Sequence, residues 1–229
     1  MKIIVFDTET SGLPCFNKLT TIVQFSYVMY DTELCAVIKE VDHIISQPPG
    51  FIIPENSINI HKVTNEMCLM RGRPLIPILD EFLKDVSECY HVVGHNVQFD
   101  IRMIKMSYEN QLYNIAYSGN TGELFNETRM LRKLRFINNI LIPKAYCTMY
   151  RGTKISALPK KIKAGLSGAS EGKATQIVSK STSIKKETYK YPKLSELHNA
   201  LFGYCPDGLH NSLVDVHACL RCYLAITRI

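Results

Sequence analysis

The chain has no long apolar run, no internal repeat and no cysteine pattern typical of a disulfide framework. No apolar stretch approaches the roughly 20 residues that cross a bilayer. The N-terminal "MKIIVFDTE" meets acidic residues too early for a secretory signal. We therefore expect an intracellular, cytoplasmic protein without membrane association. At 229 residues the chain suits one domain with a sizeable core.

The eight cysteines are scattered through predicted strands and helices. A single C-x-x-C, from Cys219 to Cys222, lies late in an apolar helical pattern and has no second pair with which to bind zinc. The pattern favours packing of these two side chains in the core over zinc or redox chemistry. No disulfides are expected.

The net charge of +6 is unevenly distributed. Residues 151–193 hold eleven Lys and Arg against two acids, whereas the rest of the chain holds sixteen against nineteen. This Lys/Ser/Gly-rich stretch has no sustained apolar period, and we predict a basic insertion at about 151–192 within a single domain 1–229. It is either a footprint on a polyanion, where neutralised phosphates release counterions, or a solvated linker.

Apolar periodicity predicts an α/β domain. An apolar strand runs from Ile3 into Glu9, and runs rich in β-branched and aromatic residues predict two more strands, which together form an antiparallel meander. Helical spacing then predicts several helices and one intervening strand. Strands followed by alternating strands and helices imply a mixed sheet covered by helices. The later strands are predicted at 23–30, 37–46 and 90–96, and the helices at 57–72, 74–89, 97–110, 193–203 and 212–229.

Two carboxylates, Asp7 and Glu9, end the first strand in "IIVFDTETSGLP". Residues two apart in a strand share a face, so both side chains point the same way. Like charges aimed together repel, and one of them holds a proton unless a cation lies between them. This pattern predicts a cation there, although the polar end of a strand entering a turn is a common alternative.

Two further acids, Asp100 in "HNVQFD" and Asp215 in "HNSLVDV", lie near predicted helix starts. Each has a structural explanation. Asn96 is well placed to cap the helix that contains Asp100. Ser212-x-x-Asp215 matches a capping box, and an acid in a first helical turn gains from the helix dipole.

In combination these motifs resemble the DEDDh family of 3′→5′ exonucleases, which includes the proofreading subunit of bacterial replicative polymerase, RNase T and oligoribonuclease. The chain carries D-x-E at a strand end, N-x-x-F-D at a helix start and H-x-x-x-x-D at the last helix, in that order. The match runs from "FDTETSGL" through "IHKVT", "GHNVQFD" and "YCT" to "HNSLVDVHACL". The resemblance implies an RNase H-like α/β fold with a mixed central sheet flanked by helices.

The resemblance also implies two metal ions held by four carboxylates. Asp7 would bridge both ions, Glu9 and Asp215 would serve the one nearest the attacking water, and Asp100 would help to hold the second. His210 would be the general base, since a neutral histidine can accept a proton at physiological pH. Oxygen ligands favour Mg²⁺, with Mn²⁺ as a substitute.

Further residues carry over to the substrate side of the site. Thr10 would lie near the 3′ end, Leu13 against the last base, and Phe99 would form a wall of the pocket. His61 and Asn96 would contact the substrate.

One position departs from the family pattern. The family often has glycine after the histidine of its "I-H-G-I-T" element, and this chain has Lys62. A lysine there would bring a cation close to the site or turn into solvent, which puts the contact from His61 in question.

The expected activity is release of nucleoside 5′-monophosphates from the 3′ end of single-stranded or frayed DNA. "FDTETSGL" is nearest to the proofreading-type members, so DNA is favoured over RNA and a DNA polymerase is a candidate partner. Two alternatives remain at this point. One is a 3′→5′ exoribonuclease like RNase T or oligoribonuclease, and the other is a catalytically silent module that binds nucleic acid or tethers a polymerase.

Overall fold

The computed structural model describes residues 1–14, 19–118, 124–159 and 189–228. Its centre is a five-stranded mixed sheet in the order β3-β2-β1-β4-β5. The central strand β1 pairs antiparallel with β2, and β2 pairs antiparallel with β3, while β4 and β5 run parallel to β1. The strands are β1 (Lys2–Thr10), β2 (Ile22–Asp31), β3 (Ala36–Ile44), β4 (His91–Gly94) and β5 (Ala145–Cys147).

Helices cover both faces of this sheet. A π-helical turn at Ile137–Leu141 links two of them and leads towards β5. The helices are α1 (Glu55–His61), α2 (Asn65–Arg71), α3 (Leu75–Glu88), α4 (Val97–Ser118), α5 (Leu124–Phe136), α6 (Ile142–Lys144), α7 (Thr148–Ser156), α8 (Leu194–Phe202) and α9 (Ser212–Thr227).

The central strand β1 is buried on both faces, and its alternation decides which way its polar end points. Ile4 and Phe6 belong to a core shared with α3 and α4, where the Phe6 and Phe82 ring centroids lie 5.0 Å apart. Ile3 and Val5 pack in a second core against α9. Because side chains alternate, residues 7 and 9 face α9, and residue 8 faces α3 and α4.

The predicted meander, the strand before α4 and the helices at 74–89, 193–203 and 212–229 are confirmed, with ends within a few residues. The helix predicted over 57–72 is wrong, because two helices occupy that range. Lys62 ends α1 in the left-handed conformation, with φ 63°, and the Thr64 hydroxyl accepts a hydrogen bond from the Met67 N–H (3.1 Å) to start α2. The spacing of apolar residues alone does not reveal such a break between two helices.

The conformation of Lys62 predicts a stabilising substitution. Left-handed backbone costs an L-residue about 1–2 kcal/mol, and glycine adopts it freely. Glycine also makes the unfolded chain more flexible, which offsets part of this gain. Lys62→Gly is therefore expected to raise the free energy of unfolding by about 0.5–1 kcal/mol, measured by urea denaturation. Lys84→Gly, at an exposed helical position of α3, is the matched control and should lower it by about 1 kcal/mol. Equal losses in both variants would contradict this account.

The predicted basic insertion is described only at its two ends. Residues 160–188, which hold most of its lysines, lie outside the described residues, so its contact with a polyanion stays a prediction. The flanks meet: Pro159 and Tyr189 form a β-bridge, and the Lys190 N–H donates to the Leu158 carbonyl at 2.9 Å. The two described ends of the insertion therefore lie side by side.

Cys219 and Cys222 are buried in α9 with free thiols, which confirms that they pack in the core. Burial raises the pKa of the Cys222 thiol to about 12, so this thiol is not poised for redox chemistry. Across the described ranges, no helix has the length and apolar character needed to cross a membrane.

Candidate active site

Three carboxylates meet at the carboxyl end of β1. Asp7 and Glu9 come from the face of β1 that packs on α9, and Asp215 comes from the first turn of α9. One oxygen from each lies within 4.8 Å of the others. The alternation of β1 and the docking of α9 across its end bring these acids together from opposite ends of the chain.

Asp100 approaches the same strand end from the other face of the sheet. It lies in the first turn of α4, is 2% exposed, and accepts two hydrogen bonds at Oδ1, from the Thr8 backbone N–H (3.1 Å) and from the Thr8 hydroxyl (2.7 Å). All four predicted metal ligands are therefore neighbours. Thr8 fixes the position of Asp100, a role that sequence reasoning missed.

Burial raises the pKa of all four acids, and the charges of neighbouring acids add to this effect at Asp7, Glu9 and Asp100. Burial raises the pKa of Asp7 well above its usual value, and the charges of Asp100, Asp215 and Glu9 add to this effect. For Glu9, burial followed by the charges of Asp215 and Asp100 raises the pKa to about 8. Without a cation this pair holds protons near neutral pH.

The other two acids follow the same trend more weakly because each accepts hydrogen bonds. Burial raises the pKa of Asp100 to about 7, against the two hydrogen bonds from Thr8. It raises the pKa of Asp215 to about 6, against the hydrogen bond from the His210 backbone. The site is therefore built at an electrostatic cost that a bound cation would remove.

The donor set fits a divalent cation. Asp215 Oδ1 is buried and has no hydrogen-bond partner among the described residues, whereas Oδ2 accepts a hydrogen bond from the His210 N–H. A buried carboxylate oxygen without a partner is costly unless something else binds it. Carboxylate oxygens suit Mg²⁺ or Mn²⁺, and the residues that could hold such ions are Asp7, Glu9, Asp100 and Asp215.

His210 lies in the loop before α9, with its side chain exposed and its backbone left-handed at φ 72°. Its backbone N–H donates to Asp215 Oδ2 at 3.1 Å, which ties the loop to the acidic cluster. The predicted capping box from Ser212 to Asp215 is wrong. The N-cap is Asn211, whose side chain accepts a hydrogen bond from the Val214 N–H.

Ser212 instead anchors α9 to the sheet. Its hydroxyl contacts that of Ser26, and its backbone N–H donates to Gln24 Oε1 at 3.4 Å. Gln24 and Ser26 both donate to Asp42 Oδ1, at 2.8 and 2.7 Å. This network positions the first turn of α9 over β1. In the sequence, this network could have been suspected from Gln24 and Ser26, two polar residues within the otherwise apolar run of β2.

Among the predicted substrate contacts, Thr10 is the last residue of β1 and Leu13 lies in the turn that follows. The Thr10 hydroxyl donates to the Gly12 carbonyl at 2.9 Å, and the Leu13 side chain is 78% exposed. The Ser57 hydroxyl of α1 donates to the Ser11 carbonyl at 3.0 Å and docks α1 on this turn. Leu13 is thus an apolar side chain presented to solvent in the turn that follows the acids of β1.

His61, at the end of α1, is buried with its ring close to Thr10. Its Nδ1 accepts a hydrogen bond from the Val63 N–H at 3.0 Å, so Nε2 carries the proton of the neutral ring. Within the described residues Nε2 is buried without a partner. Burial lowers the pKa of His61, and the nearby Thr10 backbone, which favours the protonated ring, opposes this shift. Lys62 turns its ammonium back to the Asn59 carbonyl and leaves the position of His61 intact.

Asn96 and Phe99 lie at the start of α4, beside Asp100. Asn96 is exposed and left-handed at φ 67°, and its carbonyl accepts a hydrogen bond from the Phe99 N–H at 2.8 Å. Phe99 is half-buried against the core beneath α4. The structure therefore places both residues at the same edge of the sheet as the carboxylates. Their contact with substrate stays a prediction.

Removing the Thr8 hydroxyl should weaken the site through Asp100. Thr8→Val keeps the shape of the side chain and the backbone hydrogen bond but deletes the 2.7 Å bond. Groups that orient metal ligands are worth about 10- to 100-fold in metal affinity. The Mg²⁺ concentration that half-saturates the site, measured by calorimetric titration, should rise about tenfold. Thr153→Val, which deletes a helix-internal hydrogen bond in α7, is the control and should leave it unchanged; the same value in both variants would exclude a positioning role for Thr8.

The sheet order, and the acids gathered at the carboxyl end of its central strand, define an RNase H-like α/β fold of the exonuclease type. No model of a known protein family matches the chain. Among solved structures, the chain resembles Escherichia coli exonuclease I in complex with a dT13 oligonucleotide, with 14% identity and a TM-score of 0.61 over 97% of this chain and 40% of the other. The zinc-bound form of an E. coli exonuclease I complex with single-stranded DNA gives 14% identity and a TM-score of 0.62 over 99% and 40%.

A curated relative, the PolC-type DNA polymerase III of Pediococcus pentosaceus, is 33% identical over 115 residues, which are 47% of this chain and 7% of the polymerase. The chain thus spans about two fifths of the exonuclease I structures and a small part of the polymerase. The predicted α/β, RNase H-like fold and the resemblance to 3′→5′ exonucleases are confirmed.

Proposed function

We propose that this chain is a metal-dependent 3′→5′ exonuclease that acts on single-stranded or frayed DNA and releases nucleoside 5′-monophosphates. The observation that carries the proposal is the acidic cluster, in which oxygens of Asp7, Glu9 and Asp215 lie within 4.8 Å of one another. Several of the exonuclease I structures that share this fold are named as complexes with DNA oligonucleotides, which favours DNA as the substrate.

The four acids are the candidate metal ligands. Two Mg²⁺ ions, or Mn²⁺ in their place, would neutralise charge on the attacking and leaving oxygens of the phosphodiester. Asp7, whose pKa responds to burial and to the charges of all three other acids, is the candidate for bridging them. The unpartnered Asp215 Oδ1 supports a ligand on the α9 side of the site.

His210 is the candidate general base. Its imidazole takes a proton from the attacking water at whichever ring nitrogen is unprotonated and later releases it to solvent. The loop is well suited to this role, because the backbone N–H of His210 is fixed to Asp215 while the exposed side chain is free to turn towards the scissile bond.

The turn after β1 and the start of α4 would hold the terminal nucleotide. His61 Nε2–H is a buried donor near the Thr10 backbone, outside hydrogen-bond geometry with any described residue, and it can donate to an oxygen of the substrate there. Leu13 and Phe99 offer apolar surface to a base, and Asn96 offers an exposed amide. The 33% identity to the polymerase supports, in this proposal, a DNA polymerase as a partner.

A labelled oligonucleotide tests the activity directly. With Mg²⁺, a 5′-labelled single-stranded DNA should shorten in one-nucleotide steps from its 3′ end, and a 3′-labelled copy should release a labelled mononucleotide at once. EDTA should stop both reactions, and Asp7→Asn controls for a contaminating nuclease. Cleavage that persists in EDTA, or that starts at the 5′ end, would overturn the proposal. An RNA copy degraded faster than the DNA would reassign the enzyme as an exoribonuclease.

A further inference from the structure

Two tyrosines form an exposed aromatic pair on the surface. Tyr150 of α7 and Tyr191, just before α8, are 63% and 58% exposed, and their ring centroids lie 6.3 Å apart. The large core tyrosines Tyr27, Tyr108 and Tyr223 are by contrast fully buried. Two adjacent aromatic faces open to solvent need an explanation that core packing does not supply.

Both tyrosines are held in place by their surroundings. Gly152 brings α7 close against α8, since a Cβ at that position would lie 2.5 Å from a methyl of Leu197. The Pro192 carbonyl accepts a hydrogen bond from His95 Nε2 at 3.0 Å, which fixes the residue next to Tyr191. The rings therefore form a preorganised surface.

The pair is attached at the edge of the sheet that carries the candidate active site. His95 Nδ1 contacts the Thr148 hydroxyl at 3.1 Å, and that hydroxyl is 3.2 Å from the Gly94 carbonyl at the carboxyl end of β4. Since β4 is the parallel neighbour of β1, both strands end at the same edge of the sheet. The acids occupy the end of β1, and the tyrosines are attached next to the end of β4.

Four cations flank the two tyrosines in the sequence. They are Arg151 and Lys154, close to Tyr150, and Lys190 and Lys193, close to Tyr191. Aromatic faces interleaved with Lys and Arg are the chemistry that binds single strands, because bases stack on the rings and phosphates contact the cations. Lys190 already forms an ion pair with Glu196, and the Arg151 guanidinium lies over the Tyr146 ring, 5.5 Å from its centroid. Lys154 and Lys193 are therefore the stronger candidates for phosphate contacts.

We propose that Tyr150 and Tyr191 form a stacking platform for bases of a single-stranded DNA whose 3′ end occupies the acidic site. The proposal rests on the proposed function and adds a second binding site to it. Stacking on a ring needs no particular base, so the platform would hold the strand without sequence preference while the terminal nucleotide is removed.

The test is binding of a 5′-fluorescein (dT)12 in EDTA, followed by anisotropy, with copies that carry one abasic nucleotide at successive positions from the 3′ end. The wild type should bind the intact strand about 5- to 150-fold more tightly than Tyr150→Ala/Tyr191→Ala, which is the range for one stacked base. Tyr150→Phe/Tyr191→Phe keeps the rings and should bind like the wild type. One or two abasic positions should weaken the wild type and leave the alanine variant unchanged.

Tyr90→Ala is the matched control. Tyr90 is 60% exposed but precedes β4, at the opposite edge of the sheet, and its loss should not change binding. Equal affinity of the wild type and the alanine double variant, or equal sensitivity of both to abasic nucleotides, would overturn the platform. If the platform is overturned but the wild type still cleaves DNA with Mg²⁺, the proposed function stands without the platform. If the wild type neither binds nor cleaves the strand, the proposed function itself fails.

Discussion

Asp7→Asn is expected to abolish cleavage and, at the same time, to raise the melting temperature of the metal-free protein. Asp7 is surrounded by the other three acids, so in this proposal it is the ligand on which the metal site depends most. Metal ions supply several kcal/mol of charge stabilisation to a phosphodiester transition state. Losing that amount lowers kcat by at least about 10³-fold, measured as release of labelled mononucleotide.

The stability effect follows from the raised pKa of Asp7. Unfolded, this carboxyl ionises with a pKa of about 3.9, whereas the folded protein keeps it protonated well above that pH. Above about pH 4, folding must therefore bind a proton that the unfolded chain does not hold, and stability falls as pH rises towards the folded pKa. Asparagine removes this cost, so the difference in melting temperature should be near zero at pH 4 and should grow through pH 7.

We expect Asp7→Asn to be about 3–10 °C more stable at pH 7 in EDTA, from about 1–3 kcal/mol of relieved cost. Asp80→Asn is the control, and its effect on stability should have the opposite sign. Burial acts to raise the pKa of Asp80, but hydrogen bonds from Lys133, Tyr108 and Arg129 outweigh it and lower the pKa. Its loss should destabilise the protein at neutral pH. An Asp7→Asn protein with near-normal turnover would refute the assignment of the site.

His210→Ala should lower kcat by about 10²- to 10⁴-fold with little change in KM, because a general base contributes about that much and touches the water, not the strand. Activity should recover in part at high pH, where hydroxide replaces the assisted water. The pH–rate profile should therefore change shape when the imidazole is removed. If the profiles of wild type and variant have the same shape, His210 is not the base.

The backbone at His210 calls for a second variant. At φ 72°, alanine is strained, whereas asparagine adopts left-handed backbone more readily and has no basic nitrogen. Equal losses in His210→Ala and His210→Asn would assign the effect to the missing imidazole. His217→Ala is the matched control, because His217 is half-exposed on α9 and contacts Glu40 Oε2 at 2.8 Å; it should keep kcat within about twofold.

Thr8 and Asp100 show what the sequence could not supply. They are 92 residues apart, and no local pattern links a threonine on β1 to an acid on α4. Their contact exists because β1 is parallel to β4, and β4 leads directly into α4, so that the first turn of α4 reaches the end of β1. The choice of Asn211 over Ser212 as the cap of α9 is also tertiary, since Ser212 is engaged by Ser26 on the sheet.

The sequence by itself determined that Asp7 and Glu9 share a face, because strand alternation is a property of the local backbone. It also determined the α/β class and the order of the motifs, because apolar periodicity and chain order need no contacts. Only the tertiary structure decided that Asp215 joins that face and Asp100 approaches from the other, since this depends on which helix packs on which side of β1. The break at Lys62 and the exposure of Tyr150 and Tyr191 were likewise settled by packing and backbone conformation, which residue type alone does not specify.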